Sequence, residues 1–86
     1  MTTDTTYNGW KNRQTWNVTL WISNDEPLYR ATVDFMAKHP TSRAPYPRFI
    51  KSLNLHDERT PDGIKWLGSR LDYKALTDFM REFIAA

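Results

Sequence analysis

The chain has no cysteine. Neither a disulfide framework nor a thiolate metal site can form, so packing or self-association must hold the fold together. Glycine is almost as scarce. Gly9, Gly63 and Gly68 stand far apart, which rules out a glycine-rich loop that cradles phosphates. Apolar runs reach only a few residues, far short of a bilayer span. The segment from Met1 to Asn8 is polar and Thr-rich. It lacks the basic and apolar stretches of a signal peptide, so secretion is not expected. The sequon Asn17-Val18-Thr19 is then a chance match in a cytosolic chain.

What remains is 86 residues rich in aromatics, with four Trp, four Tyr and four Phe. That length supports one domain with one core. A domain of this size buries only about two-thirds of its unfolded surface, so most of its large apolar side chains are needed inside. The aromatic supply can fill such a core and leave one or two rings for an interface. A formal charge of +2 permits nucleic acid as a partner without requiring it.

Along the chain, Asn12 to Asn24 carries two competing periods. Trp16, Val18, Leu20 and Ile22 alternate as in a strand, yet the same residues with Trp21 suit a buried helix. A strand needs partners, and the only other extended candidate is Gly63 to Leu67; a two-stranded sheet is marginal alone. The expectation is therefore a helix with Asn12 as its N-cap. Asp25, Glu26 and Pro27 open a second helix, which lines Leu28, Thr32, Phe35 and Met36 on one face and stops at His39-Pro40. Pro40 to Pro47 reads as a loop, and a third helix follows over Pro47 to Asn54. Asp57 to Ser69 is polar and broken, with Ile64 and Trp66 folding back onto the helices. Asp72 caps a last helix that packs by one face. The fold class is all-α: a compact bundle of three to four short helices, with at most a minor two-stranded pairing. Residues 1–9 form a flexible tail and 10–86 a single helical domain. The expected core is Trp16, Leu20, Phe35, Phe49, Ile50, Leu53, Leu76, Phe79, Met80 and Phe83, with Phe79→Ala costing about 3–5 kcal/mol.

Catalysis finds little support. His56-Asp57-Glu58 resembles a ligand cluster, but consecutive side chains on irregular backbone rarely converge on one ion, so no metal is expected. No nucleophile elbow is present. Asp78 and Glu82 share a helix face, where such pairs usually meet water. No enzymatic activity and no cofactor are expected. Charge distribution says more. Between Asp34 and Asp57 there is no acid, while Lys38, Arg43, Arg48 and Lys51 occur with Tyr46 and Phe49 among them. Cations interleaved with aromatics suit a single-stranded nucleic-acid groove; four cations also suit an acidic protein face, or simply a solvated rim. Lys11 and Arg13, in a second acid-free window, can extend the patch. A short turn between the second and third helices should expose Arg43, Arg48 and Lys51 on one side, with Lys38 nearby and Tyr46 at the edge. Trp10 and Trp21 are a second candidate surface.

The run YNGWKNRQTWNVTLWISNDEPLY, from Tyr7 to Tyr29, resembles the hallmark of a family of small uncharacterised proteins encoded mainly by bacteriophages and prophages. The later TPDGIKW and the capped helix beginning LDY also look like that family. The resemblance brings no activity or catalytic residue with it. It implies a context: a small phage-type product in the bacterial host cytoplasm, of the kind that binds and disables a host or defence protein. The run also has a structural account. Asn8, Asn12, Asn17 and Asn24 are spaced among Trp10, Trp16 and Trp21, and Asn is poor in helix interiors but good at caps and turns. An amide beside a buried Trp would satisfy the indole N–H, making the run a self-stapled corner. The leading expectation is a protein-binding module. The alternative is nucleic-acid binding through residues 38–51, and a third reading is a homodimer closed by surplus aromatics.

Overall fold

The computed structural model describes residues 9–85, so the tail assigned to residues 1–9 lies almost wholly outside the described residues. Among the described residues four helices follow one another: α1 Arg13–Asn24, α2 Glu26–Lys38, α3 Pro45–Ser52 and α4 Tyr73–Arg81, the last continued by a 3-10 turn over Glu82–Ala85. Extended pairing among the described residues is limited to isolated bridges such as the antiparallel one between Arg59 and Lys65. The protein is an all-α bundle.

The caps explain where the helices begin. Asn12 Oδ1 accepts from the Thr15 backbone N–H at 2.9 Å, Asp25 caps Leu28 N–H at 3.2 Å, and Asp72 caps Ala75 N–H at 3.1 Å. Each carboxylate or amide satisfies a donor that has no partner inside the helix. A single residue, Asp25, separates α1 from α2, so the two turn sharply against each other.

α3 begins at Pro45, two residues earlier than the sequence pattern predicts. Pro45 and Pro47 lie in its first turn, where a missing N–H costs nothing because those donors have no intrahelical acceptor. It also ends earlier than Asn54. That residue adopts φ 59°, and Asn54 N–H bonds Lys51 C=O at 3.0 Å while Leu55 N–H bonds Ile50 C=O at 3.0 Å. This is a left-handed C-terminal cap, with asparagine standing where glycine is commoner.

The core contains Val18, Ile22, Met36, Tyr46, Phe49, Ile50, Trp66, Leu71, Leu76, Met80 and Phe83. Trp16, Leu20, Phe35, Leu53 and Phe79, expected inside, are only half-buried. α1 turns Thr15, Val18, Thr19 and Ile22 inward instead. Burying threonine is inexpensive there because the hydroxyl is satisfied locally: Thr19 Oγ1 donates to Trp16 C=O at 2.8 Å, and Thr32 Oγ1 does likewise to Leu28 C=O at 2.8 Å in α2. The stripe is thus set by position rather than by side-chain bulk.

Candidate functional site

The Trp- and Asn-rich run forms a corner with the loop from Leu55 to Asp72. Asn17 is 1% exposed. Its Oδ1 accepts from Thr60 Oγ1 at 2.7 Å, and its Nδ2 donates to Asp62 Oδ2 at 2.8 Å. The same carboxylate oxygen accepts the Trp21 indole N–H at 3.0 Å. Hydrogen bonds from Asn17 and then Trp21 hold the Asp62 carboxyl below its ordinary range against the opposing effect of desolvation, with Arg13 the smallest contribution. One turn earlier, Asn12 Nδ2 donates to Arg70 C=O at 2.7 Å. Thr15 Oγ1 donates to Asn12 Oδ1 at 2.7 Å and accepts the Asp72 N–H at 2.9 Å. The N-caps of α1 and α4 are thereby joined through one hydroxyl. Much of the run is spent on this stapling, although the indole partner is a carboxylate from a distant loop rather than an asparagine nearby.

Trp10 and Trp21 are both half-exposed. Trp10 rests edge-on against Phe79, with ring centroids 5.7 Å apart, and the Trp21 indole is committed to Asp62. Lys11 borders a shallow hollow that also contains Asp72, Asp78 and Glu82, while Arg13 lies near Asp62. Neither is a cation in an acid-free setting once the chain is folded.

The basic segment is arranged differently. Lys38, Arg43, Arg48 and Lys51 are all exposed. Arg48 and Lys51, three residues apart on α3, share its solvent face. Lys38 is paired with Asp34 at 3.2 Å, which leaves three cations without a carboxylate among the described residues. A fourth joins them through the fold: Arg81, at the end of α4, donates to Ser42 C=O at 3.3 Å and so stands beside the loop that carries Arg43. Sequence separation hid Arg81 from the sequence reading.

Tyr46, expected at the edge of this patch, is a core residue with 0% exposure. Its hydroxyl donates to Trp66 C=O at 2.6 Å. Burial, and secondarily Tyr73, raises its pKa far above the ordinary tyrosine value, so it remains a neutral donor. Phe49 is buried too. Neither Tyr46 nor Phe49 therefore gives the basic segment an exposed ring. His56 and Asp57 approach to 3.5 Å on the surface, and no group of three metal-ligating side chains gathers among the described residues. Among the described residues, no helix is long and apolar enough to cross a membrane.

A small all-α bundle with a polar stapled corner and a basic face defines the class. The chain belongs to a family of unknown function, DUF7249, whose model matches residues 3–85. No curated protein and no solved structure matches it.

Proposed function

We propose that this chain is a small, non-enzymatic, phage-type module that binds an acidic face of a bacterial protein in the host cytoplasm and inhibits or redirects it. Arg43, Arg48, Lys51 and Arg81 supply the contact, with Lys38 at its rim. The observation that carries the reading is the burial of Tyr46 and Phe49 beneath an exposed cationic surface. Single-stranded nucleic acid is held by phosphate neutralisation together with base stacking, and the two aromatic rings interleaved with these cations, Tyr46 and Phe49, are not exposed to supply the second. An acidic protein surface needs only complementary charge and arginine forks, which match carboxylates two bonds at a time. The resemblance to phage and prophage proteins supports the bacterial context.

The test is an affinity capture from nuclease-treated bacterial lysate with wild-type protein and with the Arg43→Glu/Arg48→Glu variant. A specific protein should be retained by the wild type and lost by the variant, whose circular dichroism should be unchanged because both side chains are exposed. A loss of only about 1 kcal/mol in affinity would make these rim charges and move the contact to Trp10, Lys11 and Trp21. Capture that disappears on nuclease treatment would favour the nucleic-acid alternative instead.

A further inference from the structure

We propose a second site, independent of the basic α3 face, that binds a compact phosphate group in a groove between the first turn of α1 and the loop from Leu55 to Asp72. The groove has a volume of about 240 Å³ and is bordered by Arg59, Lys65 and Arg70 with no carboxylate in its lining. Drug-sized ligands usually occupy roughly 300–1,000 Å³, so the occupant is small. Gln14 and Ser69 add polar side chains, and Ile64 and Leu71 supply apolar wall.

The loop's geometry converges the cations. Thr60 N–H bonds Ile64 C=O at 2.7 Å and Trp66 N–H bonds Glu58 C=O at 3.2 Å, closing a miniature hairpin whose antiparallel bridge sets Arg59 opposite Lys65. Directly opposed residues project to the same face. On the other face, the neighbouring Thr60 and Trp66 are buried, which turns Arg59 and Lys65 outward together. Two like charges directly opposed across a ladder repel one another, and no carboxylate pairs with Lys65 or Arg70 among the described residues. Of the hairpin's acids, Asp62 is occupied by Asn17 and Trp21, and Glu58 is exposed and outside the groove's lining. Asn12, by holding the Arg70 carbonyl, anchors the third cation at the mouth. Arg59 donates one guanidinium nitrogen to Gly63 C=O at 3.0 Å, which fixes its fork while its other N–H groups stay available. A phosphate near neutral pH carries between one and two negative charges and three strong acceptor oxygens. That combination matches a lysine flanked by two arginines better than a single carboxylate does.

The groove is tested by titrating the 15N-labelled full chain at low salt with inorganic phosphate, with adenosine 5′-monophosphate and with a short single-stranded oligonucleotide. Saturable shifts at the amides of Gln14, Lys65, Ser69 and Arg70 are expected with one or both small probes. Tighter binding of the nucleotide would identify a phosphate ester, and equal binding would identify free phosphate. Lys65→Gln/Arg70→Gln should weaken binding by roughly a hundredfold, since each lost charge-assisted bond is worth about tenfold or more. Thermal melting provides a second readout. Lys65→Gln should melt slightly higher than wild type without anion because the repulsion is gone, and phosphate should raise the wild-type midpoint more than the variant's. Non-saturating shifts, equal shifts at Arg43, Arg48 and Lys51, or a response to the oligonucleotide alone would overturn the proposal.

Discussion

Asn17 ties α1 to the loop from Leu55 to Asp72 through two side-chain hydrogen bonds. Its side chain is buried inside α1, where an asparagine costs helix propensity, and it is retained by two directional bonds to Thr60 and Asp62. Asn17→Ala removes both and leaves the hydroxyl of buried Thr60 without its acceptor, keeping only the bond it accepts from the Ile64 N–H at 3.2 Å. The expected cost is about 2 kcal/mol in urea denaturation. A change under about 0.5 kcal/mol would mean that water replaces the amide. Asp62 links the same network to pH. Its folded carboxyl titrates below its ordinary value of 3.8, so the charged form is favoured by folding. Stability from it is present above that ordinary value and is lost as pH falls through the lower, folded one. Asp62→Asn should therefore flatten the acid limb of the stability–pH curve, measured by melting between about pH 2 and pH 5. An unchanged acid limb would show that the Asn17 and Trp21 bonds do not depend on the charge.

At the scale of elements, α4 shows how burial outranks side-chain size. Leu76 and Met80 are fully buried, whereas Phe79, the largest apolar residue of the helix interior, is half-exposed between Trp10 and Phe83. Met80→Ala should cost about 3 kcal/mol and lower the melting midpoint by more than about 10 °C. Phe79→Ala should cost less, because part of its ring already meets water. The reverse order would mean that the Trp10–Phe79–Phe83 cluster, not the inward face, anchors α4. Where helices start follows chemistry that can be read locally for three of them: Asn12 and Asp72 are N-caps in both sequence and structure, and Asp25, expected to open the second helix by its charge, is its N-cap. α3 departs from expectation at both ends because proline is acceptable in a first turn and Asn54 can adopt a left-handed conformation.

Across the whole molecule, the segment from Leu55 to Asp72 is the connector that makes the helices one unit. It supplies Trp66 and Leu71 to the core, Thr60 and Asp62 to α1, and a backbone acceptor to the Tyr46 hydroxyl. Its opening should therefore not be separable from global unfolding. Tryptophan fluorescence and far-ultraviolet circular dichroism should report one coincident urea transition. An earlier fluorescence transition would mark the loop as an independent unit. The same connector carries the three cations of the proposed phosphate groove, so the folded charge distribution differs from the linear one. The sequence concentrates attention on residues 38–51, yet Arg59, Lys65 and Arg70 converge only when the hairpin closes, and Arg81 reaches Ser42 only when α4 packs against α3.

The sequence by itself determined the all-α class, the N-caps Asn12 and Asp72, the order of the helices and the exposure of Lys38, Arg43, Arg48 and Lys51. These depend on interactions within a few residues, where capping oxygens, proline and the spacing of apolar groups act directly on the backbone. Tertiary structure alone decided which face of α1 lies inside, why Tyr46 leaves the surface, what partners Asn17 and Trp21 find, and which cations gather. Those outcomes depend on bonds spanning 20 to 58 positions. A hydroxyl or amide reads as polar along the chain; whether it can be buried is settled by the partner that folding brings to it.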